Sequence, residues 1–190
     1  MEYHHLSEAN ELSELVQSYE KSILEIGFGN GENTTYLAAE NPNALVVASE
    51  VYLSGIGSLL NSISQNSLSN VKIYDDDVRE LLLKIPNEIF DEIYIICPDP
   101  WPKARHHKRR LIKHDFLKVL ANVLRDEGTV YISTDWDNYA ESILEELEKT
   151  KQHFSFNQIS NEGMPITRFQ QRAINEGRSI HTFLLTVLKK

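Results

Sequence analysis

The stretch Glu25-Ile26-Gly27-Phe28-Gly29-Asn30-Gly31 closes an apolar run and leads into residues with helical spacing. A glycine-rich turn between a strand and a helix lets the backbone pass close to a ligand, and the helix N-terminus offers amides that lack intrahelical partners. That arrangement suits a nucleotide-like cofactor. The dinucleotide fingerprint puts its third glycine three residues after the second, but Glu32 stands there and Gly31 comes one position early. An acid in the loop would also face a pyrophosphate. Glu25 instead suits a ligand with a cationic end, such as the methionine ammonium of S-adenosylmethionine, so the spacing prefers a methyl donor over NAD. Glu50, at the end of the next apolar run, could accept from both ribose hydroxyls of either cofactor. In Asp75-Asp76-Asp77 an acid could accept the adenine amino group, with Asp77 the candidate; a solvated turn or a helix N-cap accounts for the same run equally well.

A second stretch, Cys97-Pro98-Asp99-Pro100-Trp101-Pro102-Lys103, packs three prolines into five residues, which stiffens the chain and fixes Asp99 relative to Lys103. Six of the nineteen Lys and Arg residues fall between Lys103 and Lys113, joined by His106 and His107 with no acid among them. The formal net charge of -9 speaks against a protein that coats nucleic acid generally. One concentrated basic patch remains, in which Lys103, Arg105, Lys108, Arg109 and Arg110 could meet phosphates while Trp101 stacks on a base or caps the core. The two histidines have no acid or Cys at ligand spacing, so no metal is expected.

Positioning these residues requires a frame. Apolar runs at Ser22–Gly27, Ala44–Glu50, Val71–Asp75, Glu88–Cys97 and Gly128–Thr134 read as strands. Glu32–Glu40, Leu53–Gln65, Val78–Lys84, Leu111–Leu124 and Asp137–Lys149 read as the helices between them. Such alternation builds a mostly parallel α/β sheet with helices on both faces, and its ligands bind at the C-terminal strand edge. Two late strands, His153–Ile159 and Ile180–Leu188, should pair antiparallel at the sheet edge, with no helix required between them. A length of 190 residues fits one domain, here residues 1–190, whose first 21 form a short polar segment with room for one short helix. Cys97 is the only cysteine, which fits a reducing cytoplasm and excludes an internal disulfide. No apolar run approaches membrane-spanning length, and the N-terminus lacks the pattern of an export signal.

The run PDPWPK-x-RHHKRRL resembles the tRNA (guanine-N7-)-methyltransferase family, as do EIGFGNG, Thr134-Asp135-Trp136 and Thr167-Arg168-Phe169-Gln170; the resemblance spans Ile23 to about Val187. It implies the Rossmann-like class I methyltransferase fold with a seven-stranded sheet, S-adenosylmethionine as donor, and tRNA methylated to 7-methylguanosine at position 46 of the variable loop. It further implies that Glu25, Glu50, Asp77 and Asp99 contact the cofactor, with Asp99 also catalytic, beside the loop glycines Gly27, Gly29 and Gly31 that the strand–turn–helix pattern places there. Lys103, Asp135, Thr167, Arg168, Phe169 and Gln170 match substrate positions. The chain departs from the family in Gln170, where Glu is usual, in Cys97, where Phe is usual, and in a shorter segment before the glycine loop. Two rival functions stay open at this level: an NAD-dependent oxidoreductase, and an RNA-binding paralogue that has lost activity. The acting species is expected to be a monomer or homodimer.

Overall fold

The computed structural model describes residues 5–6, 9–86, 88–161 and 164–188. Seven strands form one sheet: β1 (Lys21–Ile26), β2 (Ala44–Ser49), β3 (Val71–Tyr74), β4 (Phe90–Ile96), β5 (Leu124–Thr134), β6 (Phe154–Ile159) and β7 (His181–Val187). Their order is β3-β2-β1-β4-β5-β7-β6. The first five pair in parallel, and β7 runs antiparallel to both β5 and β6. The antiparallel pair expected at the C-terminal end is present, with β7 on its inner side and the more polar, more exposed β6 at the rim.

Helices α1 (Ala9–Leu15), α2 (Glu32–Glu40), α3 (Leu53–Gln65), α4 (Val78–Lys84), α5 (His114–Val123), α6 (Asp137–Lys149) and α7 (Arg168–Asn175) complete the chain. Strands β1 and β2 are buried nearly throughout because helices cover both faces, and period-two alternation divides their side chains between two cores. Leu24 and Ile26 face the core containing Leu117 and Leu120 of α5 and Ile143 and Leu147 of α6. Ile23 faces the other core, with Leu37 of α2 and Leu59 of α3. Glu25, two residues after Ile23, points to that second face.

Four expectations are corrected. The N-terminal segment is not merely polar, because Leu6 and Leu12 are fully buried and the Leu6 amide donates to the Ile73 carbonyl at the β3 edge (2.8 Å). Helix α5 starts at His114 rather than Leu111, since a 3₁₀ turn, Ala104–Arg109, precedes it and α6 takes the intervening amides: Ile112 N donates to Tyr139 Oη and His114 N to Glu146. Strand β5 begins at Leu124 instead of Gly128, and the extra residues form an irregularity in its register against β4. Finally, a helix, α7, does occupy the segment between β6 and β7.

Candidate active site

The C-terminal ends of β1, β2, β4 and β5 open into one cleft of about 1080 Å³. Its wall includes Glu25, Gly27, Gly29, Glu50, Asp77 and Asp99 of the expected cofactor set, and Asp135, Thr167, Phe169, Arg109 and Arg110 of the expected substrate set. Residues from seven separate stretches therefore meet at the sheet edge, as the strand order requires. Gly31, Lys103, Arg105, Arg168 and Gln170 do not line it.

The floor is set by the glycine loop. Gly31 caps α2 with φ +83°, and a Cβ there would lie 2.7 Å from Leu59 Cδ1, so helix α3 leaves room only for hydrogen. Gly29 is approached from outside by Phe169, whose Cε2 would stand 3.1 Å from an added Cβ. Behind the loop, Glu50 ties the turn together: one carboxylate oxygen accepts from Gly29 N (3.0 Å), the other from Val51 N and Tyr52 N.

Glu25 is 2% exposed, and its carboxylate accepts from Asn33 Nδ2 (3.1 Å) and from the Thr34 hydroxyl, both on the first turn of α2. Burial pushes its carboxyl up to about 7; the Thr34 and Asn33 hydrogen bonds oppose the rise, while Glu32 and Glu50 add to it. The neighbouring Asn33 Oδ1 is a buried acceptor with no hydrogen-bond partner. A buried carboxylate beside an orphaned acceptor fits a ligand that brings a cationic N–H donor, so the residues present suit the ammonium end of S-adenosylmethionine.

Asp77 performs the capping role that the sequence left open. It accepts from Arg79 N (3.0 Å) at the start of α4 and pairs with the Arg79 guanidinium, whose hydrogen bonds hold its carboxyl below the usual range. It still borders the cleft.

Asp99 is exposed within a loop pinned at both ends. Cys97 N donates to Ser133 O (2.9 Å), and both Cys97 (φ 48°) and Trp101 (φ 46°) adopt left-handed backbone that non-glycine residues seldom tolerate. Cys97 is half-buried at the cleft wall, its thiol pushed up to about 12 mainly by burial, with hydrogen bonds to Ser133 and the Asp135 backbone opposing the rise. Trp101 organises the basic patch, with the Arg109 guanidinium 4.8 Å above its ring and His106 edge-on at 5.9 Å.

Arg110 leaves that patch. It is 4% exposed, donates from Nε to Pro100 O (3.0 Å) and from Nη2 to Asn138 Oδ1 (2.9 Å), and stacks on Tyr139 at 4.7 Å. Its donors clamp the Asp99 loop to α6 and are not available to a phosphate. Lys103, Arg105, Lys108 and Arg109 remain exposed. Among the described residues, no group of three or more His, Cys, Asp or Glu side chains is placed to hold a metal.

Helix α7 delivers the last wall. Thr167 and Gln170 form a reciprocal capping box, with Thr167 N donating to Gln170 Oε1 (3.0 Å). Gln170 is thus 1% exposed and belongs to the helix cap rather than the cleft surface. Its amide reaches Ser133 Oγ (3.5 Å) and Asn161 Oδ1 (3.4 Å), contacts in which a carboxylate could not donate. Arg168 joins α7 to the glycine loop through Glu32, by Nε at 2.8 Å and by its own amide at 3.0 Å.

The cleft wall also includes charged residues for which the sequence implied no binding role, Arg79, Arg172 and Arg178 among them. The signal that could place Arg178 is Thr-x-x-Gln followed by Gly177, which has the form of a capped helix.

A family model described as "Putative methyltransferase" matches residues 19–183. The tRNA (guanine-N(7)-)-methyltransferase of Nitrosospira multiformis is 39% identical over 163 residues, covering 83% of this chain and 71% of that protein. The solved structure of the 16S rRNA methyltransferase KamB superposes with a TM-score of 0.68 at 16% identity, covering 95% of this chain and 94% of the other. A methyltransferase from Streptococcus mutans solved in complex with SAH gives a TM-score of 0.63 at 14% identity, covering 96% and 99%.

Proposed function

This chain belongs to the tRNA (guanine-N(7)-)-methyltransferase family, and from that premise we propose that the described cleft transfers a methyl group from S-adenosylmethionine to N7 of a guanine in the variable loop of tRNA. The observation that carries the reading is the meeting, in one cleft, of the buried Glu25 carboxylate, Asp99 and Asp135, with an exposed basic surface beside it.

When bound, S-adenosylmethionine supplies an electrophilic methyl group on a sulfonium. The chain's own residues have a light task, because guanine N7 carries a free lone pair at neutral pH and attacks without first losing a proton. Glu25 and Asn33 would hold the ammonium end, and Glu50 would accept from the ribose. Asp99, held on a loop stiffened by prolines and clamped by Arg110, orients the base and stabilises the positive charge that spreads over the purine as N7 is alkylated. Asp135 accepts from the base edge. Lys103, Arg105, Lys108 and Arg109 hold tRNA phosphates and set the register of the RNA without reading its sequence. The enzyme would act in the cytoplasm, where its RNA substrate is found.

The test is incubation of purified protein with labelled S-adenosylmethionine and unmodified tRNA transcripts, followed by nucleoside digestion. Label in 7-methylguanosine is the expected result. Cofactor binding without transfer to any base would instead mark the chain as an RNA-binding protein.

A further inference from the structure

Helix α7 is capped at both ends, and its C-terminal cap places an arginine that no reading of the site has used. Gly177 (φ +77°) turns the chain, with its amide donating to Ile174 O (2.9 Å) and that of Arg178 to Ala173 O (2.9 Å), the paired bonds of a Schellman turn. Arg178 is thereby carried back over the end of β5. Its Nε lies 3.1 Å from Asp135 Oδ2, and Nη2 lies 2.8 Å from Glu176 Oε2, which fixes the guanidinium plane. Both Asp135 and Arg178 line the cleft. The approach to Asp135 is close without hydrogen-bond geometry, so the buried Nε–H has no partner. A guanidinium that is ion-paired to Asp135 and Glu176, with one N–H not aimed at either carboxylate, thus stands beside Asp135 on one wall of the cleft.

Guanine presents N1–H and N2–H donors beside the O6 acceptor, while adenine presents the opposite order, an acceptor N1 beside an N6 donor. We propose that Arg178 is a specificity-determining residue, which with Asp135 forms a guanine-reading pair: Asp135 accepts from N1–H and N2–H, and Arg178 donates to O6. This rests on the proposed guanine methylation. A buried donor left without its acceptor is what rejects the wrong base.

Wild type, Arg178→Gln and Arg178→Lys are compared on tRNA carrying either guanine or 2-aminopurine at the target. 2-Aminopurine keeps N7 and the 2-amino group but lacks both O6 and the N1–H, so the effect of Arg178→Gln on each base, and not the wild-type rate alone, isolates the O6 contact. With guanine, Arg178→Gln should lower kcat/KM about 10- to 100-fold, and Arg178→Lys should recover part of the loss. With 2-aminopurine the wild type should already be slow, and Arg178→Gln should change its rate less than about twofold. Cofactor affinity, measured in parallel by calorimetry, should stay at the wild-type value for both variants. An equal loss on both bases, no loss on guanine, or a parallel loss of cofactor affinity would each overturn the inference. Failure of the wild type to methylate guanine would instead sink the proposed function.

Discussion

Replacing Glu25 by Gln should change how the stability of the ligand-free protein depends on pH. The folded carboxyl sits at about 7, raised from 4.5 chiefly by burial beneath α2. The folded state therefore binds this proton more tightly than the unfolded chain does. The stability it contributes is complete below about 4.5 and is lost as pH rises through about 7. A rise of roughly 2.5 units at 1.36 kcal/mol each puts the loss on the order of 3 kcal/mol between pH 5 and pH 8. Gln cannot titrate, keeps an acceptor for Asn33, and turns its amide toward the Thr34 oxygen. Urea denaturation at a series of pH values should show the variant gaining on wild type by up to that amount as pH increases. The same proton links to the ligand: at pH 7 about half the population is protonated, so an arriving ammonium should release up to about half a proton per cofactor. Calorimetry in buffers of different ionisation enthalpy reads that release directly. Parallel stability curves for the two proteins, together with no proton release, would refute a buried titrating carboxyl at the cofactor site.

Arg109→Ala should weaken tRNA binding and lower the salt slope by about one, leaving the fold intact. Arg110→Ala should cost about 2 kcal/mol of stability, because its buried donors hold Pro100 and Asn138; identical behaviour of the two variants would dismiss the division drawn between them. Gln170→Ala should lower stability by about 1–2 kcal/mol through loss of the capping box, and Gln170→Glu should lower it too, since a carboxylate fills the box but is buried and cannot donate to Asn161; chemical denaturation of both, with Gln170→Glu recovering as pH falls, decides this. Cys97, half-buried at the cleft with its thiol at about 12, should react with iodoacetamide at pH 8 far more slowly than a free cysteine, and labelling of native protein at the free-thiol rate would contradict the raised thiol.

The parallel architecture was legible in the chain because continuous apolar strands and helical spacings of three and four are local patterns, as were the glycine loop and the proline-stiffened Asp99 segment. The acids proposed to bind the cofactor could be placed near strand ends for the same reason. Local pattern did not say which of the clustered arginines face water. Arg109 and Arg110 are adjacent and alike in type, yet one covers Trp101 at the surface and the other is buried against Tyr139, a residue of α6 nearly thirty positions away. Asp77 met the same ambiguity and became a cap for α4. Helix α7 has only eight residues, about two turns of a mostly polar stretch, so its capping box and Schellman turn are what define it. Sequence determined which chemistries were at hand and at which edge of the sheet they would lie. Tertiary structure decided which charges are spent inside the protein and which, like Arg178, are left facing the cleft, because a side chain's partners come from segments that no local spacing brings together.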